Sequence, residues 1–117
     1  MKMIGKKATK RKTISLIEDV RLEDGQIYKA KIDTGADSSS IDQKLVKRLG
    51  EKELLPPKTI RSALGRSQRP MIMLEIELGG QRIKKGFTIS DRSALKYKVL
   101  IGKDILKKGE FLIDPLK

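Results

Sequence analysis

The chain has 117 residues, of which 38% are hydrophobic and 36% charged, and 27 Lys and Arg against 15 Asp and Glu give a formal net charge of +12. This length supports one globular domain with a modest aliphatic core and is too short for two. There is no apolar run long enough to cross a bilayer, and the N-terminus has no signal-peptide core. We therefore expect a soluble cytoplasmic protein with no membrane association.

Cysteine and histidine are both absent from the chain. Their absence excludes disulfides and the nucleophilic sites that pair Ser or Cys with His. The nitrogen and sulfur side chains that zinc prefers are also missing, so we expect no metal and no cofactor. Acid–base chemistry would have to come from carboxylates, Lys or Tyr.

The excess of basic residues indicates an anionic partner, such as nucleic acid or an acidic polypeptide. Part of the excess lies in the first twelve residues, which contain Lys2, Lys6, Lys7, Lys10, Arg11 and Lys12. We expect residues 1–12 to form a flexible basic tail and residues 13–117 to form the domain. Two interpretations of the tail remain open: a solvated arm, or a segment that binds nucleic acid.

The first half of the domain predicts two strands. Residues 13–22 form an apolar stretch, and Asp24-Gly25 is typical of a hairpin turn. Residues 27–33 then alternate, which places Tyr28, Ala30 and Ile32 on one face. This second strand ends at Asp33.

The remainder predicts further strands and short helices. Residues 41–50 have helical spacing up to Gly50, 53–58 form an extended Pro-rich connection, and 59–70 form a hairpin around Gly65. Residues 71–78 alternate clearly, Gly79-Gly80 turns the chain into 81–90, and 99–114 read as a strand, a helical turn and a last strand. The pattern indicates an all-β barrel or sandwich with one short C-terminal helix and a second short helix over 41–50.

The sequence KIDTGADSSS, residues 31–40, carries the clearest chemical signal. Asp-Thr-Gly at a strand end is typical of a polar turn, but it is also half of an aspartic peptidase site, in which two carboxylates share one proton. In such a site, the Thr34 hydroxyl can bond across the pair. Gly35 lets the backbone approach the partner loop, and Ala36 keeps the floor small.

KIDTGADSSS followed by VLIGKDIL resembles the retropepsin-type aspartic peptidases, whose half-length subunits each donate one Asp. It is most similar to a bacterial and archaeal retropepsin-like domain often labelled an ATP-dependent zinc protease, which accompanies ATP-grasp enzymes that add glutamates to ribosomal protein. The resemblance spans residues 13–117. Its marks are KIDTGA, Ser39, SALGRSQRP, LGG at 78–80, SDRS, Tyr97, LIGKDIL and FLIDP.

The resemblance implies a closed acid-protease barrel and a homodimeric aspartic endopeptidase acting on an acidic, glutamate-rich peptide tail. It also implies association with a ribosomal protein or a glutamate ligase. The catalytic residues would be Asp33, Thr34 and Gly35. The substrate-binding residues would be Ala36, Asp37, Leu64, Gly65, Arg66, Arg69 and Lys103. Arg92 is a further candidate for acidic preference, although Arg92 could instead pair with Asp91 and Arg69 with Glu75.

The chain departs from the family pattern at three positions. Asp37 replaces a basic residue, as in the retroviral-type enzymes, and Asp42 lies where a His is common. Lys103 replaces an Arg, which weakens bidentate pairing with a carboxylate. The zinc label has no support in the side chains of this sequence.

The alternative is a non-catalytic basic β-barrel that binds RNA or the ribosome. The chain has few aromatic side chains for base stacking, namely Tyr28, Tyr97, Phe87 and Phe111. A calcium loop using Asp33, Asp37 and Asp42 is a weaker alternative, because its required Gly and terminal Glu are misplaced.

Overall fold

The computed structural model describes residues 11–117, apart from the side chain of Ser62. These residues form nine strands and two short helices. In chain order they are β1 (Thr13–Ile14), β2 (Ile17–Arg21), β3 (Ile27–Ile32), β4 (Ser40–Asp42), α1 (Gln43–Leu49), β5 (Leu54–Ser62), β6 (Gly65–Leu78), β7 (Gln81–Ser90), β8 (Val99–Ile101), α2 (Lys103–Lys108) and β9 (Leu112–Ile113). The prediction of a mostly β fold with two short helices is confirmed.

Seven strands form one sheet in the order β2-β3-β8-β4-β7-β6-β5, and β2 also pairs with β6. This last pairing joins the sheet to itself, so that six strands form a closed ring and β5 lies outside it against β6. Strands β1 and β9 form a separate parallel pair. The hairpin of β5 and β6 therefore extends from the ring as an arm.

The core consists of the inward faces of the strands and one side of each helix. Strand β6 shows the pattern most clearly, because Ile72, Leu74, Ile76 and Leu78 are all buried. The other fully buried aliphatic and aromatic side chains include Ile14, Val20, Ile41, Phe87, Val99, Ile101 and Ile105. In β8, Val99 and Ile101 are buried and Leu100 is partly buried, and this strand pairs with β3 up to Ile32, the residue before Asp33.

Three predicted elements differ from the structure. The stretch 13–22 is divided into β1 and β2, because the Ser15 hydroxyl bonds to the Ile17 carbonyl and the Glu18 carboxylate. The helix predicted over 41–50 begins at Gln43, because Ser40–Asp42 pairs with both β7 and β8. The expected connection over 53–58 belongs to β5, which tolerates two prolines because it lies at a sheet edge.

Residues 1–10 of the predicted basic tail lie outside the described residues. Lys12 accepts a backbone hydrogen bond from Leu112, and Arg11 pairs with Glu110 at 3.4 Å. Positions 11 and 12 thus contact the C-terminal segment. Neither helix within residues 11–117 has the length and apolar character needed to cross a membrane.

Candidate active site

Asp33 follows β3 in a tight turn beside β8. Its backbone N–H donates to the Ile101 carbonyl at 2.8 Å, and its own carbonyl accepts from Ala36 N at 3.2 Å. One carboxylate oxygen accepts from the Gly35 N–H at 2.9 Å. Asp33 is partly buried, whereas Thr34 and Gly35 are exposed. The three predicted catalytic residues thus form one compact turn whose outer side faces solvent in the single chain.

The turn is fixed to the start of α2 by backbone contacts. Lys103 N donates to the Ala36 carbonyl at 2.8 Å, and Gly102 N donates to Ser39 Oγ at 2.9 Å. A Cβ on Gly102 would lie 2.7 Å from that Ala36 oxygen and 2.9 Å from the Ser38 backbone. Only glycine allows the two segments to approach this closely. The paired KIDTGADSSS and VLIGKDIL motifs are therefore one structural unit.

A buried Ser–Asp contact completes this unit. The Ser39 hydroxyl donates to Asp104 Oδ1 at 2.8 Å, and the Ser39 N–H contacts both Asp104 oxygens at 3.1 Å. Ser39 has no exposed surface. The sequence pattern did not identify Asp104 as a supporting residue, although Asp104 lies within the LIGKDIL motif. A Ser followed 65 positions later by an Asp gives no local signal of contact.

A cleft of about 480 Å³ lies between this turn and the β5–β6 hairpin. Its lining residues are Gly35, Ala36, Asp37, Ser38, Ser40, Lys58, Thr59, Ile60, Arg61, Arg69, Thr88, Arg92 and Leu100. Among these, four side chains are cationic and only Asp37 is acidic. Lys58 and Arg61 were not among the predicted site residues. The cleft is therefore an electropositive groove beside Asp33.

The predicted substrate-binding residues fall into two groups. Ala36, Asp37 and Arg69 line the cleft. Leu64, Gly65 and Arg66 lie at the end of the hairpin, where Leu64 is 99% exposed and Gly65 adopts a φ of 116°. Lys103 begins α2 and pairs with Asp37. The structure brings the first group and Lys103 together near the turn and places the hairpin-end residues outside the cleft lining.

Arg92 is buried at the cleft, and its contacts do not include the predicted ion pair with Asp91. Its Nε donates to the Tyr97 carbonyl at 3.0 Å, and its backbone N–H donates to the Asp42 carboxylate at 2.6 Å. Asp91 instead accepts from Ser93 N, and within residues 11–117 no ion pair joins Arg92 to Asp91 or Arg69 to Glu75. Those structural pairings are therefore wrong. Burial lowers the pKa of Arg92, the nearby charges of Asp42 and Asp33 oppose this effect, and Arg69 adds to it.

The three aspartates of the calcium-loop alternative do not converge. Asp33 contacts Gly35, Asp37 contacts Lys103, and Asp42 contacts the backbone of Arg92 and Lys44. In the described part of the chain, no three Asp, Glu, His or Cys side chains are close enough to hold a metal ion. A cation site at this loop therefore has no structural support.

The pairing of Lys103 with Asp37 predicts a pH-dependent contact. Lys103 Nζ lies 3.0 Å from Asp37 Oδ1, and the resulting hydrogen bond and charge lower the pKa of Asp37. Substituting Lys103→Met should therefore raise the pKa of Asp37 toward its ordinary value. NMR titration of the Asp37 side-chain carboxyl carbon in both proteins measures this change.

The sign of the stability effect follows from the lowered pKa. The contact stabilises the folded protein above the ordinary Asp pKa, and its contribution is lost as pH falls through the depressed folded value. Because both side chains are exposed, the effect on unfolding should be small. An unchanged Asp37 titration in the Lys103→Met protein would show that the ion pair does not persist in solution.

Comparison with known proteins adds family and fold relatives. A family model described as the retropepsin-like aspartic endopeptidase RimB matches residues 42–117. The crystal structure of the Legionella pneumophila protein Lpg0085, of unknown function, superposes with a TM-score of 0.67 at 19% identity, covering 92% of this chain and 96% of that one. The solution structure of the simian foamy virus protease superposes with a TM-score of 0.60 at 16% identity, covering 78% of this chain and 91% of that one. A search of curated protein sequences finds no match. The retropepsin-like fold is thereby confirmed.

Proposed function

The chain belongs to the RimB-like family of retropepsin-like aspartic endopeptidases, and from this premise we propose that it hydrolyses peptide bonds as a homodimer. Each subunit contributes Asp33, which activates water within a shared pair of carboxylates. The observation that carries the proposal is the position of Asp33. It follows β3 in a turn that is fixed to β8 and α2 and lies beside a cleft.

The dimer is required by the chemistry of the site. The sequence contains a single Asp-Thr-Gly, whereas the reaction needs two carboxylates close enough to share one proton. The exposed Thr34 and Gly35 leave the outer side of the turn open to a second copy. A two-fold axis beside Asp33 brings the two turns face to face.

The reaction follows from such a pair. The ionised carboxylate takes a proton from water as the water oxygen attacks the peptide carbonyl carbon, and the protonated carboxyl group donates a hydrogen bond to the carbonyl oxygen. The C–N bond then breaks as the leaving nitrogen receives a proton. Because the two groups titrate together, neither role belongs permanently to one subunit.

The charge pattern of the hairpin supports an acidic substrate. In the rest of the sheet, charged residues opposite one another on paired strands have opposite signs, as in Asp19–Lys29, Arg21–Glu77, Glu75–Lys84 and Glu77–Arg82. The β5–β6 hairpin instead pairs Lys58 with Arg69 and Arg61 with Arg66. Like charges directly opposite each other are destabilising. An acidic peptide lying along the hairpin would relieve this repulsion.

A salt series distinguishes this function from RNA binding. We expect the KM for a glutamate-rich peptide to rise several-fold with increasing salt, because ions screen the cations of the cleft. Deleting residues 1–10 should change this dependence only slightly, since the cations of the cleft lie in the domain. Cleavage is followed by mass spectrometry, and RNA binding by fluorescence anisotropy over the same salt range.

The RNA-binding alternative predicts a different pattern. RNA would bind tightly with a steep salt dependence, this binding would largely disappear with residues 1–10, and neither protein would cleave the peptide. That combination would contradict the peptidase proposal.

A further inference from the structure

We propose that Arg92 is the specificity-determining residue of the cleft and binds a carboxylate group of the substrate. This inference rests on the proposed function, because it concerns the acidic peptide that the cleft would hold. Arg92 differs from the other cations at or near the cleft, because those are more exposed or already form an ion pair.

Hydrogen bonds fix both the backbone and the side chain of Arg92. Only 9% of the residue is exposed. Its backbone N–H is bound by the buried carboxylate of Asp42, which also caps α1 through Lys44 N at 3.1 Å. Its Nε is bound by the Tyr97 carbonyl. The guanidinium is therefore preorganised, and little side-chain entropy remains to be lost when a ligand binds.

The loop that carries Arg92 is also fixed. Lys98 Nζ donates to three carbonyl oxygens, those of Arg92 and Ser93 at 3.0 Å and that of Leu95 at 2.7 Å. This uses all three donors of the ammonium group. Lys98 thus stabilises the loop, and Arg92 is the buried cation that this loop places at the cleft.

The charge of Arg92 is not neutralised by a direct contact. Within residues 11–117, its terminal guanidinium nitrogens make no hydrogen bond and no ion pair. Arg92 lines the cleft, as does Arg69 on the hairpin. A buried cation without a partner is costly. A guanidinium matches a carboxylate through two parallel hydrogen bonds.

The surroundings define where this carboxylate lies. Lys58 and Arg69 are opposite each other on the hairpin, and Gly35 and Ala36 line the same cleft. The bound carboxylate would therefore sit between the hairpin and the catalytic turn, close to the bond that is cut. Two sources supply this group: an acidic side chain next to the scissile bond, or the terminal carboxylate of the peptide.

The first experiment measures binding without cleavage. In an Asp33→Asn background, the affinity for a hexaglutamate peptide should fall about 10- to 100-fold on Arg92→Met substitution, as expected for loss of a charge-assisted contact. Arg92→Lys should recover only part of this loss, because an ammonium cannot form the paired hydrogen bonds. It also serves as the test variant if Arg92→Met does not fold. The matched control is Arg82→Gln, which removes an exposed cation at the opposite end of the β6–β7 hairpin.

The second experiment identifies the source of the carboxylate. The peptide is tested with a free and an amidated C-terminus, and with each Glu in turn replaced by Gln. If Arg92 binds the terminus, the effect of Arg92→Lys should disappear with the amidated peptide. If it binds a side chain, the effect should disappear with one particular Gln substitution. Either pattern supports the proposal.

Three results would overturn it. They are wild-type affinity in both Arg92 variants, equal losses for acidic and fully neutralised peptides, and no detectable binding of any acidic peptide. The proposed peptidase function is tested separately, by measuring cleavage. Arg92-dependent binding without cleavage by the unsubstituted protein would contradict the function and retain the Arg92 assignment. Cleavage that is independent of Arg92 would support the function and contradict the Arg92 assignment.

Discussion

Replacement of Asp33 by Asn should lower kcat/KM for an acidic peptide by at least about 10³-fold, because an amide cannot act as a general base. The fold should be retained. The Asn side-chain oxygen can still accept the hydrogen bond from Gly35 N, which the Asp33 carboxylate accepts at 2.9 Å. The dimer should be retained as well. Cleavage rates, thermal unfolding and solution mass measure the activity, the fold and the dimer.

The matched control for this change is Asp19→Asn. Asp19 lies on the exposed face of β2 and pairs with Lys29, away from the cleft. The control should cleave the peptide at the wild-type rate. Retained cleavage in the Asp33→Asn protein would remove Asp33 from the mechanism.

Replacement of Gly102 by Ala should decrease the free energy of unfolding by about 1–3 kcal/mol, the range for overpacking at a closely packed position. The added methyl group would meet the backbone of Ala36 and Ser38 at 2.7 and 2.9 Å. Because backbone atoms cannot move aside locally, the catalytic turn must shift. A displacement near 1 Å can cost about 10²-fold in rate. Denaturant unfolding and kcat/KM measure both effects.

Gly86→Ala is the corresponding control within β7. A methyl group there would come closest to the ends of the Met71 and Leu55 side chains, at 2.8 and 2.9 Å, and would lie 4.0 Å from the backbone oxygen of Ile72, an ordinary contact distance. Flexible side chains can turn away, so both the stability loss and the rate loss should be smaller. Equal effects of the two substitutions would contradict the close-approach role of Gly102.

Local patterns were sufficient to predict the elements that depend on local physics. The alternation in β3 and β6 predicted their buried faces, since strand geometry places every second side chain on one side. Gly50 at the end of α1 and the turn at Gly79-Gly80 were also predicted correctly, because positive φ favours glycine.

Contacts between distant segments could not be predicted in this way. Strand β4 exists because β7 and β8 flank it, and nothing within Ser40–Asp42 requires a strand. The cleft position of Lys58 depends on the register that sets it opposite Arg69. The burial of Arg92 likewise depends on Asp42, which lies 50 positions earlier in the chain.

The chemistry of the turn rests on a different kind of inference. Asp33 was assigned from its motif and from the resemblance, while the family match covers residues 42–117 and begins after the motif. The structure explains the motif physically by fixing the turn to Gly102 and Lys103. Its catalytic role remains a prediction that requires a kinetic test.

The most direct test of the shared Asp33 pair is the activity of mixed dimers. Wild-type and Asp33→Asn chains are unfolded together in equal amounts, refolded, and assayed at constant total protein. If each active site needs Asp33 from both subunits, random pairing should leave about one quarter of the wild-type activity, since only dimers of two wild-type chains are active. A residual activity of about one half would mean that each chain acts alone, and would contradict the shared site.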